Sequence, residues 1–219
     1  MQARTLLSEE LKQLRQELAL MAARVEEDMG KALAVLHSGD KGLAEEVREN
    51  GKVVDAQQLK IEEMALVLIA TQQPVAGDLR ELITVFKITA NLERIGDYGI
   101  HLVKTAVKLS ERPSFRSITR IEQMVETAQK MLKEAVYAYL AQDPKSARKA
   151  AAFDDKIDRE HKALTEEVLA LMKKEPQLIK AAARLLKLSG YMERLGDHIT
   201  NICEGIIYMI EGKHEDLND

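Results

Sequence analysis

The sequence predicts an all-α protein of two pseudo-repeated three-helix bundles, six long helices in all. Three observations carry this. The run Leu92-Glu93-Arg94-Ile95-Gly96-Asp97 returns as Met192-Glu193-Arg194-Leu195-Gly196-Asp197, an offset of 100 residues. Apolar residues make up 46% of the chain but aromatics only 4%, with no Trp. That mix of Ala, Leu, Ile, Met, Glu and Lys is the one helical bundles use. Interruptions are few: 4 Pro and 11 Gly in 219 residues, and no stretch alternates apolar and polar positions long enough for a strand.

The first helix is predicted from Ser8, an N-cap residue followed by Glu9 and Glu10, where the helix dipole favours acids. Leu11, Leu14, Leu18, Met21, Val25 and Met29 keep helical spacing to about Leu36. His37-Ser38-Gly39-Asp40 forms a turn, and Asp40 caps a second helix running to about Ala70. Gln73-Pro74 ends it, because proline disfavours helical backbone at the residue before it. A third helix runs from about Val75 to Ser110, and Pro113 closes the first unit, 1–113. The second unit, 114–219, repeats the plan, with helices at about 118–141, 145–174 and 177–211. Asp143-Pro144 and Pro176 are its breaks, and Gly212 is the stop. Residues 213–219 are a polar tail expected to fray.

Each copy of the repeat carries a glutamate and an aspartate four residues apart, Glu93/Asp97 and Glu193/Asp197. On a helix both carboxylates then share one face, one turn apart, and repel by about 0.2–0.5 kcal/mol unless a cation sits between them. In the third helix Leu79, Leu82, Phe86, Ala90, Glu93, Asp97 and Ile100 form one stripe, while Ile88, Ile95 and Leu102 make the opposite side apolar too. The acids therefore continue a half-buried stripe and need a partner. The matching stripe of the sixth helix is Leu186, Glu193, Asp197, Asn201 and Glu204. The fifth helix offers Asp154 and Asp158, again four apart, with Asp155 beside them and His161 one turn on. If these two helices are antiparallel neighbours, the two acid pairs face each other. Such an all-oxygen set suits Mg²⁺, Mn²⁺ or iron better than a structural zinc.

The first unit is poorer. Asp55 matches Asp158, but Gly51 stands where Asp154 would be, and His101 and Lys104 replace Asn201 and Glu204. Lys104 can itself neutralise Glu93 and Asp97, so tighter binding is expected in the second unit. The same Glu–Asp spacing also occurs on solvated helix faces, balanced by a residue such as Arg94 or Arg194. Gly96 and Gly196, each costing about 1 kcal/mol inside a helix, mark close helix–helix approach, which needs no ligand.

The net charge of −4 argues against a nucleic-acid partner. No apolar run reaches bilayer-spanning length, and the N-terminus does not read as a signal peptide. The single Cys203, among Ile199, Ile202 and Ile206, excludes an internal disulfide, fits a reducing cytoplasm and reads as a buried small hydrophobe. His37 and His214 lie at element ends and are expected to be solvated. No Ser–His–Asp set, Gly-rich phosphate loop or CxxC is present, and the one Glu-x-x-His spacing, Glu211 to His214, sits in the tail. Di-iron carboxylate bundles carry that motif on their core helices, so a redox enzyme is disfavoured.

The run 92–97, the preceding Gln73-Pro74-Val75-Ala76-Gly77-Asp78-Leu79-Arg80, and residues 192–204 together resemble the PhoU family of phosphate-specific transport system accessory proteins. The resemblance runs in register through both repeats. It implies two pseudo-symmetric three-helix bundles in a cytoplasmic regulator without enzymatic activity, commonly a homodimer. Such a regulator links a phosphate ABC transporter to a sensor histidine kinase and represses the phosphate-starvation response. It further implies bound metal, iron or one of Zn, Mg and Mn, held by paired acidic motifs. Carried over by position these are Glu93/Asp97 with Asp55, and Glu193/Asp197 with Asp154/Asp158, the last face being extended by Asn201. A metal-dependent carboxylate-bundle enzyme (a phosphatase or an oxygen-activating protein) and a metal-free scaffold are the alternatives.

Overall fold

Leu7 is buried together with Leu11 and Leu14, so the apolar stripe of the first helix starts before the residue expected to cap it. In the computed structural model, which describes residues 2–109 and 116–218, helix α1 accordingly spans Gln2–Ser38 and Ser8 lies inside it. A helix propagates past a potential cap when good helix formers precede it. Helix α2, Lys41–Gln72, starts as expected: the Asp40 carboxylate accepts from the Gly42 and Leu43 amides at 2.7 and 3.2 Å. Its end is set by Gln73 in the left-handed region at φ 47°. Helix α3 is Ala76–Val107, entered through an extended Val75 with no side-chain cap. Pro113 lies outside the described residues.

Helix α4, Arg116–Ala141, is followed not by one helix but by two, α5 at Pro144–Ala151 and α6 at Asp154–Lys174. Asp143 caps α5 through the Lys145 amide at 3.0 Å and the Ser146 hydroxyl at 2.7 Å. The break at Ala152-Phe153 contains no Gly or Pro, so the sequence carries no signal for it. The backbone tightens there, the Phe153 amide reaching back three residues to Ala150 O at 3.1 Å. The buried Ala147, Ala150 and Ala151 let α5 lie close to its neighbours, and the break makes Asp154 the first residue of α6. A short 3₁₀ turn, Pro176–Leu178, then leads into α7, Ile179–Glu211, which stops at Gly212 with φ 68° as expected.

Helix α3 packs on α1 and α2, α7 packs on α4, α5 and α6, and the most extensive contact of all is α3 against α7. Partner pairs fix the directions. His161 meets Ser189 while Asp154 meets Thr200, so α6 and α7 are antiparallel. Glu62 meets Thr89 while Gly51 meets Ile100, so α2 and α3 are antiparallel as well. One continuous hydrophobic core, including Leu18, Ile95, Ala135, Leu185 and Ile199, runs through both halves. Among the described residues there is no strand, and no helix is long and apolar enough to cross a membrane.

Candidate metal centre

The antiparallel packing of α6 on α7 brings four of the expected acids together. Asp154 and Asp158 from α6, and Glu193 and Asp197 from α7, line one cleft of about 410 Å³ together with Asp155, Arg148, Leu217 and Asn218. Asp154 is the deepest, only 8% exposed. Its Oδ2 accepts from the Thr200 hydroxyl at 3.0 Å, and its buried Oδ1 has no hydrogen-bond partner. Gly196 makes this possible. A Cβ at position 196 would fall on Asp154 Oδ1 and lie 3.2 Å from both Asp154 Cγ and Ile157 Cδ1. The repeated glycine therefore does mark a close approach here, but of a carboxylate.

Electrostatics point the same way. Burial, reinforced by Asp158, Asp197 and Glu193 and opposed by the Thr200 hydrogen bond, pushes the Asp154 carboxyl up to about 7. Glu193 is raised by burial and by Asp197, against a lowering influence of His161. Asp197 is raised by burial and by Asp158. Three carboxyls are thus biased toward protonation by desolvation and mutual repulsion, the two conditions a bound cation relieves. Among the described residues no three His, Cys, Asp or Glu side chains converge as they stand to hold an ion; the four acids line a shared cleft. A buried carboxylate oxygen without a partner, in a cleft lined by three further acids, is the donor chemistry that suits a hard divalent cation.

The first copy differs in each of these respects. Ile100 stands where the second copy has Thr200, and its Cδ1 lies 2.5 Å from where a Cβ on Gly51 would be. An isoleucine thus fills the space that Asp154 occupies in the second copy. Glu93 is raised by burial, then by Asp97, with a smaller push from Asp55. The counter-charge comes from Arg94, at 3.5 Å from Glu93 and 3.7 Å from Asp97, rather than from Lys104. Asp55 is exposed. Gly96 has only ordinary contacts, Val54 Cγ1 at 3.6 Å and Val25 Cγ2 at 3.9 Å from an added Cβ, so the close approach expected at both glycines is tight only at Gly196.

Asn201 is not brought to the acids. It lines a separate cleft of about 380 Å³ between α3 and α7, with Lys87, Asn91, Glu204, Tyr208 and His214. Glu204 is engaged with the Leu217 amide at 2.8 Å. His161 Nδ1 lies 2.6 Å from Ser189 Oγ, and the ring borders a third cleft that shares Glu193. The tail expected to fray is held instead, Arg148 binding Glu215, while His214 stacks on Tyr208 at 4.2 Å and stays exposed as expected. Cys203 is fully buried as expected, its thiol pushed to about 12 by burial. Thr200 and Arg148 were not legible as site residues. The one available signal was that Thr200 lies a turn beyond Gly196 on the same face, at the position where the first copy has Ile100.

Known proteins share both the sequence and the shape. The PhoU domain pattern matches residues 18–106 and again 121–206. The "Phosphate-specific transport system accessory protein PhoU homolog" of Clostridium acetobutylicum is 32% identical over 217 residues, covering 99% of each chain. The homolog of Pseudomonas aeruginosa is 33% identical over 93% of this chain and 84% of its own length. Among solved structures, PhoU from Pseudomonas aeruginosa superimposes with a TM-score of 0.89 at 32% identity, over 94% of this chain and 99% of that one. The phosphate transport system regulatory protein PhoU from Streptococcus pneumoniae gives 0.90 at 30% identity, over 96% and 99%. A pattern matched twice in succession, relatives matched from end to end and a shared shape agree on one conclusion: the chain belongs to the PhoU family.

Proposed function

We propose that this protein is a phosphate-transport accessory protein that works as a non-enzymatic, cytoplasmic regulator. In this reading it links a phosphate ABC transporter to a sensor histidine kinase, as a homodimer, and holds the phosphate-starvation response off while phosphate is plentiful. The observation that carries the reading is the end-to-end likeness to relatives bearing the accessory-protein name. An adaptor is defined by its partners, so the test is a pull-down from phosphate-replete cells combined with a phosphate-responsive reporter. Transporter and kinase components should co-purify, and deletion of the gene should raise reporter expression in phosphate-rich medium. A reporter indifferent to the deletion would sink the reading.

The second half supplies the cation site of this reading. Asp154, Asp158, Glu193 and Asp197 hold one hard or borderline cation, with iron, Zn, Mg and Mn as the candidates. Bound there, the cation neutralises four clustered acids and ties α6 to α7. In the first half, Glu93, Asp97 and Asp55 form the weaker counterpart, because Ile100 fills the space beside Gly51 and Arg94 already supplies positive charge. The division into duplicated units 1–113 and 114–219 belongs to the same reading and is supported by the two successive pattern matches. Elemental analysis of protein purified without chelator should find metal above background. Glu193→Ala with Asp197→Ala is expected to remove most of it, and Glu93→Ala with Asp97→Ala clearly less. Equal losses would contradict the asymmetry.

A further inference from the structure

We infer that residues 212–218 form a strap that closes over the Asp154 cleft and governs the entry and release of its cation, an inference that rests on the cation reading above. The segment beyond α7 has no helix of its own, so side-chain contacts must hold it. Three do. Arg148, on α5, grips Glu215 through Nε and Nη2 at 2.6–3.1 Å and Glu211 through Nη1 and Nη2 at 3.0 and 2.8 Å. His214 stacks on Tyr208, and the Leu217 amide donates to Glu204 at 2.8 Å. Leu217 packs against the hydrophobic core, and Leu217 and Asn218 form part of the wall of the cleft that holds the four acids. Arg148 belongs to the same wall, so the residue that latches the strap also borders the site the strap covers.

Charge and gating make opposite forecasts for Arg148. As a cation beside a cation site it weakens binding by repulsion, so its removal on charge grounds alone should slow metal release. As the latch of a strap its removal should speed release, because the covering segment then opens more often. Full-length wild type, Arg148→Met and Glu215→Gln should be loaded with Mn²⁺ and mixed with excess chelator in a stopped-flow instrument, while trypsin cleavage after Lys213 reports strap opening. Glu215→Gln weakens the latch from the strap's side and leaves the cleft acids in place. Both variants are expected to release Mn²⁺ about tenfold faster and to be cut faster at Lys213, as a locally opened segment would be. Release that is unchanged or slower in both variants overturns the strap. Wild type that binds no Mn²⁺ overturns the cation site, and the strap's role with it.

Discussion

Gly196→Ala is expected to cost about 1–3 kcal/mol of stability, the range for forcing a methyl into a packed interior, and to remove most of the bound cation. The added methyl lands on Asp154 Oδ1, and Ile157 Cδ1 at 3.2 Å blocks retreat along α6. Asp154 can yield only by swinging away, which breaks its 3.0 Å bond from Thr200. The deepest carboxylate of the cleft is then displaced. Gly96→Ala is the matched control. Its methyl would sit at ordinary contact distance from Val54 and Val25, so it should gain about 0.5–1 kcal/mol from better helix propensity. Thermal melts and metal calorimetry on the two variants read both effects. Destabilisation of similar size in the two would mean that the carboxylate packing is not what the glycine serves.

The metal-free protein should lose stability as pH rises from about 4 to 7, the reverse of the usual behaviour of a carboxylate. The folded Asp154 carboxyl titrates near 7, whereas an unfolded aspartate titrates at about 3.9. Between these values the folded state binds the extra proton, so raising the pH works against folding. The penalty is absent below about 4, grows through the interval and is complete above 7, reaching a few kcal/mol. Glu193 and Asp197, also raised, act in the same direction. Cation binding must displace this proton, so affinity should fall by about tenfold per pH unit below 7. Asp154→Asn should therefore raise the melting temperature of metal-free protein at pH 8, flatten the slope and abolish tight cation binding. A wild-type melting temperature that is flat from pH 5 to 8 without metal would refute the assignment.

The parts of this molecule with short-range causes were legible in its sequence. Asp40 caps α2, Gly212 stops α7, and the spacing of Glu93/Asp97 and Glu193/Asp197 placed each pair on one half-buried face. The pairing of Asp154 with Asp197 followed once two adjoining helices were taken as antiparallel. Features set by tertiary packing were not legible. The break before Asp154 has no local breaker, and Ser8 was overridden by the burial of Leu7. The sequence showed Gly51 as a missing ligand, but not that Ile100 fills the gap. Asn201 shares the helical stripe of Asp197, yet it faces α3 because the helix turns steadily away over its length.

The seam between α3 and α7 pairs the two copies of the repeat reciprocally. Asn91 meets His198, and Tyr98 meets Tyr191. At the offset of 100 residues, position 91 of one copy touches position 98 of the other, and 98 touches 91. That reciprocity is the signature of an isologous two-fold interface. Within one chain the seam therefore joins the two copies of the repeat as a symmetric dimer would join two subunits. A single chain is free of a constraint on such a dimer, because identical subunits must change both sites at once. Its two halves can differ, and they do: aspartate and threonine at positions 154 and 200 correspond to glycine and isoleucine at 51 and 100.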